Sequence, residues 1–226
     1  MKKNIFLAIS IFLITLNCKS QSTINEDLKK QLEQIVFTDQ IYREFIDNNT
    51  TQVRREEIAK LTNNTTENLY QNVFKIIEQN DKTNFEKVEK IVEKYGYPGK
   101  SLVGEPANTA VFYVIQHNPD KISKYYPIIE KAGKSGELPF TYVAMMLDRK
   151  LTGEQKPQIY GTQLGMRIIN KDGKQENFVY VLPIEDAKNV NLRRKKAGFE
   201  TTVEENARKF GVEYKEFTYD ELEKIK

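Results

Sequence analysis

The sequence predicts a mainly α protein: a helical bundle with a C-terminal β-hairpin and short terminal helices. Three observations carry this. Apolar residues recur at three- and four-residue spacing in successive segments from Leu28 to Leu151. After Gly153 that period gives way to two short apolar runs separated by turn residues. A composition of 39% hydrophobic and 30% charged residues fits a globular protein with many solvated helix faces.

In chain order, Asn25 is a plausible N-cap, with Glu26 and Asp27 suited to a first turn. Leu28, Leu32, Ile35, Tyr42 and Ile46 then share one helical face, and Asp47 to Thr50 break it. A second helix is expected from Thr66 through Leu69, Val73 and Ile77. A restart at Asp81 to Asn84 carries Phe85, Val88, Val92 and Tyr95 up to Gly96 and Pro98. Ala110 to Ile115 is apolar all round, which predicts a central helix covered on several sides. Asn118-Pro119 ends it. Ile122, Tyr125, Tyr126 and Ile129 mark the next helix, with a kink or break expected at Pro127 and closure near Gly133 and Gly136. Pro139 opens another, whose apolar face is Phe140, Val143, Ala144, Leu147 and Leu151. Gln155 to Gly161 reads as loop. Leu164 to Ile169 and Phe178 to Leu182 read as strands about the turn Asn170 to Gly173. One or two short helices are expected in the tail.

The N-terminus reads as a targeting segment. Lys2 and Lys3 precede an apolar run, Ile5 to Leu16. That run is shorter than the roughly 20 residues a bilayer span needs. Cys18, the single cysteine, follows. Either Leu16-Asn17-Cys18 is a lipobox and Cys18 is lipidated, or Cys18-Lys19-Ser20 is a cleavage site and Gln21 begins the mature chain. Thr15 weakens the first reading; a lone cysteine at this point supports it. Both predict export, as a periplasmic or outer-membrane lipoprotein or as a secreted protein. The expected organisation is a leader over residues 1–20 and one domain over 25–226. That domain is helical across 25–152, loop and hairpin across 153–183, and helical tail across 184–226.

Charge and composition exclude several classes. Net charge is +3, and without Lys2, Lys3 and Lys19 it is zero, so bulk electrostatics give no reason to seek nucleic acid. One histidine and one cysteine exclude zinc sites built on several such ligands, and no cofactor motif is present. Gly99-Lys100-Ser101 resembles the end of a phosphate-binding loop, but Lys94 stands where the motif needs glycine. Arg193 to Lys196 stand just before Gly198, where cations suit a helix C-terminus.

Helical phase points to a site. Asp39, His117 and Asp148 each fall on the apolar face of a different expected helix. Buried charge is costly unless paired, so a shared polar cluster is expected. Arg43, four residues after Asp39, and Arg149 supply countercharge. The Gln158 to Gln163 loop could cover the cluster, with Gly161 allowing close backbone approach. Each residue has two readings. His117 is a structural histidine or a general acid/base. Asp148 orients His117, or it pairs with Arg149 or caps a loop. Asp39 with Arg43 is a structural ion pair or part of the site. Gln116, Arg149, Gln158, Tyr160, Thr162 and Gln163 bind a polar ligand, or the loop residues pin the loop to the bundle.

Gly96-Tyr97-Pro98, Val103-Gly104, Gln116-His117, Asp148-Arg149 and Gln158-Ile159-Tyr160-Gly161-Thr162-Gln163 together resemble the pattern of the DUF6624 family, a domain of unknown function. Tyr97 stands where tryptophan is usual, which keeps an aromatic. The resemblance runs from about Asn25 to Phe210 and implies a bacterial host, but it implies no reaction. Two functions are expected. One is an exported binding module for a small ligand or peptide. The other is a metal-independent hydrolase or transferase with His117 as acid/base, Asp148 as its orienter, and Arg149 or Gln163 stabilising negative charge. No pattern speaks to oligomeric state.

Overall fold

A computed structural model describes residues 23–171 and 173–225. The leader and Cys18 lie outside them. Helix α1 is Glu26–Ile46, and the Asn25 carboxamide oxygen accepts from the Leu28 N–H at 3.0 Å, as an N-cap should. Helix α2, Gln52–Leu61, has no counterpart in the expected elements. It buries only Ile58 and Ala59, so its apolar face is too narrow to show as a period.

Helix α3, Thr66–Tyr95, is one continuous helix of 30 residues, and the expected restart near Asp81 is absent. Polar residues there are held within tertiary contacts. Asp81 takes a bidentate contact from Arg43, and Asn84, 2% exposed, accepts from the Thr38 hydroxyl at 3.2 Å. A short turn, α4 (Lys100–Val103), leads to α5, Ala110–Gln116. As its apolar run predicts, α5 is central: Ala110, Val111, Val114 and Ile115 are fully buried, and it packs on α1, α3, α6 and α7. Burying each valine or isoleucine side chain among them contributes about 1.5–3 kcal/mol.

Helix α6, Ile122–Lys134, runs through Pro127 without a break. Proline removes one N–H, and Ser123 and Pro127 both lie on the exposed side, where the freed carbonyl faces solvent rather than the core. Helix α7 is Phe140–Gly153. Its buried face is Val143, Ala144, Met146 and Asp148, whereas Phe140 is 36% exposed.

Strands β1 (Leu164–Lys171) and β2 (Lys174–Val181) form an antiparallel hairpin from Leu164↔Val181 to Lys171↔Lys174. Three short helices follow: α8 (Val190–Lys196), α9 (Val203–Lys209) and α10 (Tyr219–Lys224). The base of the hairpin packs on α8 and α9 through Val181, Val190, Val203 and Ala207. Among the described residues no helix is long and apolar enough to cross a membrane.

Candidate functional site

The structure separates the expected polar cluster into two centres. Asp148, fully buried on α7, meets the Gln158–Gln163 loop and not His117. Its Oδ1 accepts from the backbone N–H of Ile159 at 2.7 Å and of Tyr160 at 3.0 Å. Its Oδ2 accepts from the Thr162 N–H at 3.0 Å and the Thr162 hydroxyl at 2.9 Å. Burial pushes the carboxyl above the usual carboxylate range, and the loop donors pull it back.

Gln158, also fully buried, works from inside the loop. Its side-chain amide donates to the carbonyls of Gln163 at 2.9 Å and Leu182 at 2.8 Å, and its Oε1 accepts from the Gln163 N–H at 2.8 Å. Two arginines complete the clamp. Arg193 Nε donates to the Ile159 carbonyl at 2.9 Å, and Arg194 Nη1 donates to that of Tyr160 at 2.8 Å. Sequence reading placed this pair at a helix terminus and missed the clamp, because nothing local signals a contact 34 residues away.

Gly161 sits at φ +67°, and a Cβ there would lie 2.6 Å from Val203 Cγ2 and 2.8 Å from Ile184 Cδ1. Gly161→Ala is therefore expected to destabilise the protein by about 2 kcal/mol or more, read as a lower urea midpoint.

The loop spends most of its polar groups on its own conformation. Tyr160 leans on Phe199, with ring centroids 6.1 Å apart. Arg149 and Gln163 instead line a cleft of about 440 Å³ between α6, the end of α7 and the start of β1. Ser123, Ile122, Leu164 and Leu182 also line it. Among the described residues, the guanidinium of half-buried Arg149 has no hydrogen-bond or ion-pair partner, and burial lowers its affinity for the proton. Neighbouring Lys150 is engaged by Glu154 at 2.5 Å, and Lys156 holds the other Glu154 oxygen at 2.8 Å.

Those two lysines hold the Glu154 carboxyl down to about 2. A depressed carboxylate contributes its stability above the ordinary glutamate range and loses it as pH falls through the folded value. NMR titration is expected to find the Glu154 midpoint near 2, and Lys150→Ala is expected to move it up.

The second centre lies where α1, α3 and the end of α5 meet. His117 Nε2 stands 3.5 Å from Asp39 Oδ2, an ion-pair distance. Asp39 is fully buried, whereas the His117 side chain is 24% exposed. Asp39 Oδ2 also accepts from the Gln40 amide at 2.5 Å. Arg43 lies 3.9 Å from Asp39 Oδ1; it donates instead to the Asp39 backbone carbonyl at 2.6 Å and to the Asp81 carboxylate at 2.8 Å. The expected Asp39–Arg43 pair is thus the looser of the two. His117 opens on a groove of about 610 Å³ that Phe74, Ile77, Asp81 and Phe85 also line. Tyr113 is raised above the ordinary tyrosine range by burial, by its hydrogen bond to Tyr142 and by the Asp39 charge. Gln116 lies one turn beyond Tyr113, half-buried, and its side chain makes no hydrogen bond among the described residues. Among those residues no three His, Cys, Asp or Glu side chains gather to hold a metal.

A mainly helical scaffold, carrying a polar loop clamped between α7 and a C-terminal hairpin, defines this class of protein. The model of a family of unknown function, DUF6624, matches residues 28–215, and the chain belongs to that family. Comparison with curated proteins and with solved structures finds no match.

Proposed function

We propose that the protein is an exported binding module that holds a small ligand or peptide in the cleft between α6, α7 and the Gln158–Gln163 loop. One observation carries this: Asp148, Gln158 and Thr162 rigidify the loop, whereas Arg149 and Gln163, drawn from the same two motifs, are left at a concave surface. Preorganised polar groups around a partly apolar cleft are the usual build of a ligand site. The test is chemical-shift mapping with a mixture of small-molecule fragments. Shifts should concentrate on Ser123, Thr152 and Gln163. Shifts confined to other surfaces would overturn the assignment.

The second reading is a metal-independent hydrolase or transferase. His117 would be its acid/base, with Asp39 taking the orienting role first assigned to Asp148. The pairing at 3.5 Å and the place of the half-buried imidazole on the groove favour it. A panel of ester, amide and phosphoester substrates tests it: turnover should fall together in His117→Gln and Asp39→Asn, and turnover insensitive to both would end it.

Export belongs to the same proposal and rests on Lys2-Lys3, the apolar run and Cys18. Mass spectrometry of the mature chain distinguishes a lipidated Cys18 from a chain that begins at Gln21.

A further inference from the structure

We propose that the cleft recognises a carboxylate carried on a small apolar body, and that Arg149 receives it. This rests on the binding reading above and names the ligand class. A guanidinium keeps its charge under all physiological conditions, so a half-buried one without a partner sits in an unfavourable field. Among the described residues lining the cleft, Arg149 is the cation left over. Lys150 is held by Glu154, and both Glu154 oxygens are occupied by lysines. An incoming anion would therefore meet Arg149 without competition from a protein carboxylate already committed elsewhere.

The neighbours of Arg149 suit the remaining lone pairs of a carboxylate. Gln163 brings a side-chain amide, anchored by its donation to the Thr162 hydroxyl at 3.0 Å. Ser123 brings a hydroxyl that has no partner among the described residues, and it lies in the first turn of α6, where the helix dipole favours negative charge. A fork of guanidinium N–H groups matches the two oxygens of a carboxylate. Charge selects a carboxylate over a phosphate. Among the described lining residues one uncommitted cation, Arg149, balances the single negative charge of a carboxylate, whereas a phosphate monoester brings up to two. Ile122, Leu164 and Leu182 give the apolar body of the ligand its contact. The volume of about 440 Å³ lies toward the lower end for ligand pockets, so the body is small.

Such a group occurs on free short-chain acids and at peptide C-termini, and the experiment separates the two. Full-length protein is titrated by NMR with hexanoate, hexanamide, hexyl phosphate, acetyl-Ala-Ala-Leu as the free acid, and the same peptide as the amide. Hexanoate or the free-acid peptide should shift Ser123 and Gln163, and the two amides should not. Whichever acid binds more tightly identifies the source. Arg149→Gln should weaken that acid at least tenfold, and Arg149→Lys should weaken it less. Among the described residues the Arg149 guanidinium holds no partner and its burial is unfavourable, so neither variant should unfold below the wild-type midpoint. Gln163→Ala, which leaves Arg149 in place, should weaken the same acid without changing the preference for acid over amide. Equal binding of acid and amide would overturn the carboxylate assignment while leaving the cleft a binding site. Unchanged acid binding in Arg149→Gln, or preference for hexyl phosphate, would do the same. If no probe binds, the carboxylate assignment falls, and the fragment mixture then decides whether the binding reading falls with it.

Discussion

Asp148→Ala is expected to lower stability by about 4 kcal/mol, a large part of the 5–15 kcal/mol typical of a folded domain. The carboxylate is fully buried and takes hydrogen bonds from three backbone N–H groups and one hydroxyl of a single loop. Removing it strands those donors in a place water reaches poorly, and each stranded group costs about 1–3 kcal/mol. Partial collapse and some water entry return part of that sum. Asp148→Asn separates shape from charge. It fills the same volume, but its NH₂ group must face loop N–H donors, so a loss of about 2–3 kcal/mol is expected. Urea unfolding measures both, and amide exchange should quicken first at Ile159, Tyr160 and Thr162. Wild-type stability in Asp148→Ala would mean that the loop does not depend on this clamp.

The second large effect is at Arg194, 1% exposed despite its charge. Its guanidinium donates to the Thr201 carbonyl at 2.8 Å, the Tyr160 carbonyl at 2.8 Å and the Thr201 hydroxyl at 3.2 Å. It also lies 4.5 Å from the centroid of the Phe199 ring. Burial lowers its affinity for the proton, and the Asp148 charge opposes that. Arg194→Ala leaves the acceptors unsatisfied and opens a cavity, for an expected loss of about 3–4 kcal/mol. Arg194→Met restores the volume against Phe199 but no donors, so a loss of about 2 kcal/mol is expected. Chemical denaturation of the two variants side by side tells packing from hydrogen bonding; equal losses would assign the whole effect to the missing donors. A double variant with Asp148→Ala should lose less than the two single losses combined, because both residues hold the same loop.

Sequence alone decided much of the architecture. The N-cap at Asn25, the wholly apolar central helix, the stop at Gly96 and the hairpin after Gly153 were each legible, because they follow from local φ/ψ preference and from apolar period. Elements went astray where local signals and tertiary contact disagree. Helix α2 is stabilised by docking a narrow face, which leaves little pattern to read. Asp81 and Asn84 look like helix breakers until their partners Arg43 and Thr38 are in view.

The site divides along the same line. Phase identified Asp39, His117 and Asp148 as buried-side polar residues, and Asp39 and Asp148 are fully buried. Phase is a property of one helix, and it does not say which helix faces which. The sequence reading therefore assigned His117 to Asp148, whereas the carboxylate that stands 3.5 Å from its Nε2 is that of Asp39. That reading also could not see Arg193 and Arg194 reaching the loop across 34 residues. Asp148 and Arg149 are adjacent in sequence, but successive helical residues point about 100° apart. That rotation puts one into the loop clamp and leaves the other in the cleft, and only the packing of α6, α7 and the hairpin shows which is which.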